Sequence, residues 1–145
     1  MKAIVQRVRQ ASVTVEGACV GAIGAGLLVL VCAEPQDDAA TGRALLAKLL
    51  RLRIFGDEAG KMNRSLQDVQ GGLLLVSQFT LAADTRGGNR PSFSAAAPPE
   101  QARALYEQLL QDARALHPEV AAGVFGADMQ VSLVNDGPVT IPLGF

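Results

Sequence analysis

The chain has a single histidine and no tryptophan. His117 precedes Pro118 at the end of a helical pattern, where an imidazole most simply caps the helix or complements its dipole. One histidine so placed cannot easily serve a Ser-His-Asp or Cys-His arrangement. Cys19 and Cys32 are the only cysteines; they form no CxxC and have no histidine beside them. Both lie in apolar strand-like runs, so both are expected to be buried free thiols in a reducing cytosol. No group of His, Cys and carboxylates has metal-ligand spacing, and no GKS or GKT makes a phosphate loop. Gly21, Gly24 and Gly26 give GxxGxG rather than GxGxxG, with no helix at once behind them, and read as turns. Neither metal nor cofactor is expected.

The chain is also short of net charge and of long apolar runs. A net charge of -1 and a pI near 5.8 exclude a broad basic field for coating nucleic acid, though not a local contact with one end of an RNA. The longest apolar run, Gly26 to Ala33, is too short to span a bilayer. The opening residues lack the long apolar core of a signal peptide. A cytoplasmic protein without a membrane association is expected.

What is present is a rather apolar chain of 145 residues, 49% hydrophobic and 19% charged. That suits one domain spanning residues 1–145, with a surplus of apolar residues that argues for a homodimer interface. Residues 2–8 and 11–16 read as two strands, the second alternating cleanly. Further strands are expected at 19–23, 27–32, 53–55, 62–66, 73–76, 120–125, 129–134 and 139–143. A helix should start near Pro35–Asp38, capped by Asp37 or Asp38, and run to about Leu52. Arg43, Lys48, Arg51 and Arg53, toward the C-terminal half of this stretch, are either dipole-complementing solvated charge or phosphate contacts. A second helix should run from Pro98–Glu100 to Leu116. Helix and strand do not alternate, so the expected class is α+β: a mainly antiparallel sheet curled toward a barrel, with two helices packed outside.

Two stretches carry candidate chemistry. The apolar strand at 73–76 runs into Ser77-Gln78-Phe79-Thr80, and polar groups at the end of a core strand need partners or face a site. Backbone N–H groups there can hold an oxyanion. Nothing in the sequence activates Thr80 as a nucleophile. The other stretch, Asn135-Asp136-Gly137-Pro138-Val139-Thr140, read alone, is a turn between strands. Arg86, Arg90 and Phe93 lie in a loop-like stretch at 84–99, either a mobile surface loop or one that closes on a phosphate or base. Lacking a side-chain base, the chain suits an activated ester whose own neighbouring hydroxyl assists. An aminoacyl group on a tRNA 3′-terminal ribose is such an ester.

SQFTL at 77–81, NDGPVT at 135–140, NRPSF at 89–93 and the opening KAIVQRV together resemble D-aminoacyl-tRNA deacylases, the D-Tyr-tRNA deacylase family. The likeness covers essentially the whole chain. It implies a homodimer in which a cis Gly137-Pro138 reaches into the partner's pocket beside Ser77, Gln78, Phe79 and Thr80. It implies tRNA as partner, rejection of L-residues by the Gly-Pro backbone, and removal of glycine from mischarged tRNA(Ala). Val139-Thr140 resembles the D-selective group. Arg7, Arg86 and Arg90 are candidate RNA contacts. Two other readings compete: a non-catalytic module that binds an aminoacyl-tRNA end, and a structural dimerisation domain.

Overall fold

The computed structural model describes all 145 residues. A 14-residue strand, β1 (Lys2–Val15), pairs antiparallel with every neighbour: β2 (Ala18–Ile23), β3 (Gly26–Cys32) and, along almost its whole length, β8 (Gln130–Gly144). Beyond β3 the sheet continues in parallel through β6 (Gly72–Ser77) to β7 (Val120–Ala122). β2 then approaches β7 closely enough that a side chain at Gly21 would press on the Ala122 carbonyl, which nearly closes the sheet. A small separate ribbon pairs β4 (Phe55–Gly56) with β5 (Met62–Arg64).

Two helices cover one face: α1 (Ala39–Arg51) and α3 (Pro99–Leu116). Asp38 is the N-cap of α1 and shares a capping box with Thr41. Asp37 is instead buried, and its carboxylate accepts from the Met1 ammonium at 2.6 Å. Proline opens α3, where its missing N–H is not needed.

The two sides of the sheet hold two apolar clusters. Ala3, Val5, Leu27, Val29, Val31, Leu73 and Leu75 pack under α1 and α3 against Leu45, Leu49, Tyr106 and Leu109. Val8, Ala11, Val13, Leu28, Leu74 and Val76 form the second cluster. β1 and β8 serve both. Ala3 and Val5 of β1, with Val139 and Ile141 of β8, face the first; Val8 and Ala11, with Val131 and Leu133, face the second. A strand can change faces only where its alternation slips, and both slip at the same place. Gln6 pairs Thr140 and Val8 pairs Asn135, so Asp136 to Val139 stand opposite Arg7 alone.

The α+β class and the barrel-like, mainly antiparallel sheet are as expected, but several local expectations are corrected. Residues 2–8 and 11–16 are one strand, because the slip at Arg7–Arg9 bends the ladder without ending it. Asn135–Thr140 is no hairpin turn: it is a wide bulge inside β8, which joins the two strands expected at 129–134 and 139–143. A third short helix, α2 (Leu66–Val69), capped by Ser65, begins where a strand was expected to end. Cys32 is buried, but Cys19 is exposed, because the start of β2 is uncovered on both faces, with Ala18 and Val20 exposed beside it.

Candidate functional site

β6 is fully buried until Ser77, where exposure begins. Gln78 still closes on the sheet, its N–H donating to the Val31 carbonyl at 2.7 Å. The chain then coils into a single 3-10 turn over Phe79–Ala82, whose first hydrogen bond runs from Leu81 N–H to the Gln78 carbonyl. The N–H groups of Phe79 and Thr80 precede that bond and have no partner within the turn.

Ser77, Gln78 and Phe79 line a cavity of about 670 Å³ between the β3–β6 strand ends and α3. Its walls are mostly apolar: Val31, Val76, Ala102, Leu105, Leu109 and Met129 among them. Phe93 closes one side, meeting Phe79 edge to face with centroids 5.1 Å apart. The two rings remain 38% and 55% exposed, so this aromatic pair has faces still open to a ligand. Thr80 stands outside the lining. Its hydroxyl oxygen accepts from Gln78 Nε2 at 2.6 Å, and no carboxylate or imidazole reaches it.

Among the side chains lining the cavity, only Cys32 and Tyr106 titrate, and neither suits a general base near neutral pH. Burial, followed by the nearby Glu34 carboxylate, pushes the Cys32 thiol above its ordinary value. Burial pushes Tyr106 up to about 12, and its hydroxyl is committed to the Leu75 carbonyl at 2.8 Å. His117 lies elsewhere. It is the C-cap of α3, as expected, but its ring is buried, with Nε2 2.6 Å from the Gly71 carbonyl. It is an interior brace.

Gly137 and Pro138 sit in the β8 bulge, joined by a cis peptide bond. Both are exposed and neither pairs with β1. Gly137 has φ +138°, and a Cβ there would lie 2.9 Å from Val139 Cγ2 and 3.0 Å from an Arg7 guanidinium nitrogen. Arg7 holds the bulge from beneath. Its Nε donates to the Asp136 carbonyl at 3.0 Å and its Nη1 donates to the Ile54 carbonyl. Asn135 holds it from the side, accepting from Val139 N–H at 2.7 Å and donating to Thr140 Oγ1 at 2.8 Å. Gly137, Pro138, Phe55, Gly60 and Met62 line a second, shallow depression of about 440 Å³.

One chain does not bring its two candidate stretches together. Ser77 pairs with Val31 and Val31 with Ala3, whereas the bulge stands opposite Arg7. Four residues along β1 and three strand spacings separate them, roughly 20 Å.

The candidate RNA contacts differ among themselves. Arg7 is committed to protein carbonyls, its side chain 15% exposed. Arg86 is paired with Asp84 at 2.7 Å, which holds that carboxyl below its usual range. Arg90 is exposed at the tip of the loop and makes no ion pair. The partnership of Phe93 with Phe79 escaped sequence reasoning. An isolated aromatic among small residues was the available signal, but nothing local names its partner.

The family described as D-Tyr-tRNA(Tyr) deacylase matches residues 4–144. A D-aminoacyl-tRNA deacylase of Variovorax paradoxus (strain S110) is 69% identical over 143 residues, covering 99% of this chain and 98% of the relative. One from Paracidovorax citrulli (strain AAC00-1) is 68% identical, covering 99% and 92%. Among solved structures, the c-Myc DNA Unwinding Element Binding Protein superposes with a TM-score of 0.94 at 44% identity, covering 100% of this chain and 99% of the other. A probable eukaryotic D-amino acid tRNA deacylase shares the fold, with a TM-score of 0.85 at 16% identity and coverage of 98% and 97%.

Proposed function

The chain belongs to the D-Tyr-tRNA(Tyr) deacylase family, and from that premise we propose that it cleaves the ester joining a D-amino acid to the terminal ribose of tRNA while sparing the L-ester. Deacylation of D-aminoacyl-tRNA is the activity the family supports; how this chain performs it is our reading. The observation that carries that reading is an apolar cavity without a usable side-chain base, lined by Ser77, Gln78 and Phe79 at the start of a 3-10 turn whose Phe79 and Thr80 N–H groups have no partner within the turn.

In the proposed reaction, a water oxygen adds to the ester carbonyl carbon, and the carbonyl electron pair moves onto its oxygen. The Phe79 and Thr80 N–H groups donate to that oxyanion. Collapse breaks the bond to the ribose 3′ oxygen. The vicinal 2′-hydroxyl passes its proton to that leaving oxygen and takes one from the attacking water. No protein side chain then exchanges a proton. Ser77 and Gln78 orient the ester, and the Phe79–Phe93 pair offers an aromatic surface to the terminal base.

Gly137 and Pro138 supply the chirality in this scheme. An exposed main-chain bulge can sit against the α-carbon of the substrate and leave no room for an L side chain, while a D side chain points away. Discrimination by exclusion tolerates many side chains, and it also admits glycine, so glycyl-tRNA(Ala) is a proposed substrate. Since Gly137-Pro138 lies roughly 20 Å from Ser77 in its own chain, we infer that a second copy delivers it, making the enzyme a homodimer with shared sites. An enzyme of aminoacyl-tRNA would work in the cytoplasm, where translation proceeds.

The test is multiple-turnover deacylation of D-Tyr-tRNA and L-Tyr-tRNA. Release of D-tyrosine over many turnovers, with L-Tyr-tRNA left intact, is expected. Equal rates, or cleavage of the L-ester alone, would sink the proposal; binding without turnover would favour a module that only holds the aminoacyl end.

A further inference from the structure

Charge in this molecule is divided unevenly. Of its 13 lysines and arginines, six lie within residues 39–64, with only two of its 14 acids. Those six are Arg43, Lys48, Arg51, Arg53, Lys61 and Arg64. The side-chain ion pairs of the molecule use Lys2, Arg7, Arg9, Arg64, Arg86 and Arg103. Arg43, Lys48, Arg51 and Lys61 are therefore exposed and unpaired. Arg53 donates only to the neutral Asn63, at 2.9 and 2.8 Å, so its charge is not neutralised.

The outward face of α1 consists of Ala40, Arg43, Ala44, Ala47, Lys48 and Arg51. It holds three cations, three alanines and no acid. A solvated helix face kept for solubility commonly mixes signs in i, i+4 pairs; this one has no carboxylate to pair. The helix dipole accounts for Lys48 and Arg51 in the last turn, but not for Arg43, which lies outside that turn. Of the acids ahead of α1, Asp37 is taken by the Met1 ammonium, while Asp38 caps the helix through Thr41 and feels the Arg43 charge without forming an ion pair with it. From Arg43 to Arg51 the row runs about 12 Å along the axis.

This face is tied to the Gly137-Pro138 bulge. Arg7 bonds both the Asp136 carbonyl and the Ile54 carbonyl, three residues beyond Arg51. Gly60 and Met62, either side of Lys61, share the shallow depression with Gly137 and Pro138. We propose that the α1–β4–β5 face, through Arg43, Lys48, Arg51, Arg53 and Lys61, docks the phosphate backbone of the tRNA acceptor arm beside the Gly137-Pro138 bulge. A row of unpaired cations backed by alanine fits an RNA strand, which supplies repeated phosphates without demanding base-specific contacts. The inference rests on the deacylase reading and adds the surface that carries the RNA.

The experiment is steady-state deacylation of D-Tyr-tRNA between about 50 and 200 mM NaCl, by the wild type, the R43Q/K48Q/R51Q variant and an Arg114→Gln control on α3. The triple variant should raise KM at least about tenfold with kcat held within about twofold, and should flatten the log–log salt slope of kcat/KM by about two to three. An unchanged melting temperature checks that the exposed replacements leave the fold intact. Arg114→Gln should move neither KM nor slope. A triple variant with wild-type KM and slope overturns the proposal, and so does an equal effect from Arg114→Gln, which would reduce it to net charge. A wild type that does not cleave D-Tyr-tRNA sinks the deacylase reading instead. The docking face is then decided by titrating uncharged tRNA against the same variants, where an unchanged salt slope overturns it.

Discussion

The strand end at Ser77–Thr80 and the bulge at Asp136–Val139 are both exceptions to a regular ladder, but they are made differently. The first ends a buried parallel strand, and its shape comes from the core behind it: β6 is fully buried up to Val76, and Gln78 is tied to Val31. The second lies in a strand paired on one side only, and no core sits behind its tip. Its shape comes from polar braces, Arg7 beneath and Asn135 beside. A cavity wall is held by many small apolar contacts, no single one of which sets its shape. A projecting main-chain wedge relies on a few directional contacts, and losing one frees it. Substitutions at the bulge should therefore cost far more activity per atom changed than substitutions at the strand end.

Gly137→Ala should give the largest effect. The added Cβ meets Val139 and the Arg7 guanidinium at a φ that side chains rarely adopt. The expected result is a loss of about 1–3 kcal/mol in stability and a fall of at least about a hundredfold in kcat/KM for D-Tyr-tRNA. Chemical denaturation and steady-state kinetics measure the two. Near-wild-type kinetics would show that the bulge is not in the site. Arg7→Ala comes next. It leaves the Asp136 and Ile54 carbonyls without their donor, and kcat/KM should fall about ten- to a hundredfold. Arg7→Lys should not restore it, because a single ammonium lacks the forked geometry that spans both acceptors. Full rescue by lysine would mean that charge alone is needed. On the strand-end side, Phe93→Ala removes one ring of the edge-to-face pair, an interaction of about 0.5–1.5 kcal/mol. It should raise KM about three- to tenfold and leave chirality untouched.

The same contrast explains what could be read from the sequence. The class, the sheet of short strands and both long helices follow from local periodicity, as in the Leu45–Leu49–Leu52 spacing or the Pro98-Pro99 start of α3. Ser77–Thr80 was legible because an apolar run ends abruptly in polar residues. The bulge was legible only as turn-forming residues, since its position depends on pairing with β1, more than a hundred residues earlier. The unbroken β1 was missed for that reason: alternation slips at Arg7–Arg9, and only β8, slipping in step, carries the ladder across. Cys19 was misjudged because its neighbours are apolar, although those neighbours, Ala18 and Val20, are themselves exposed. The His117 ring and the Phe79–Phe93 pair rest on partners distant in sequence, Gly71 and each other.

Thr80→Ala should have the smallest effect, and it decides whether the strand end acts through its backbone or through a side chain. The Thr80 hydroxyl oxygen accepts from Gln78 Nε2, and no base stands ready to take its proton. A backbone N–H survives the substitution, so kcat should fall less than about tenfold. The pH profile should agree. Cys32 is raised from an already alkaline value by burial, and Tyr106 is pushed up to about 12. Both stay protonated across the neutral range, so the chemical step should show no inflection near pH 6.5 from a histidine-like base. A thousandfold loss in Thr80→Ala with substrate binding intact would make Thr80 a nucleophile or an essential donor. A clear inflection near 6.5 would require a titrating group other than the Cys32 and Tyr106 side chains.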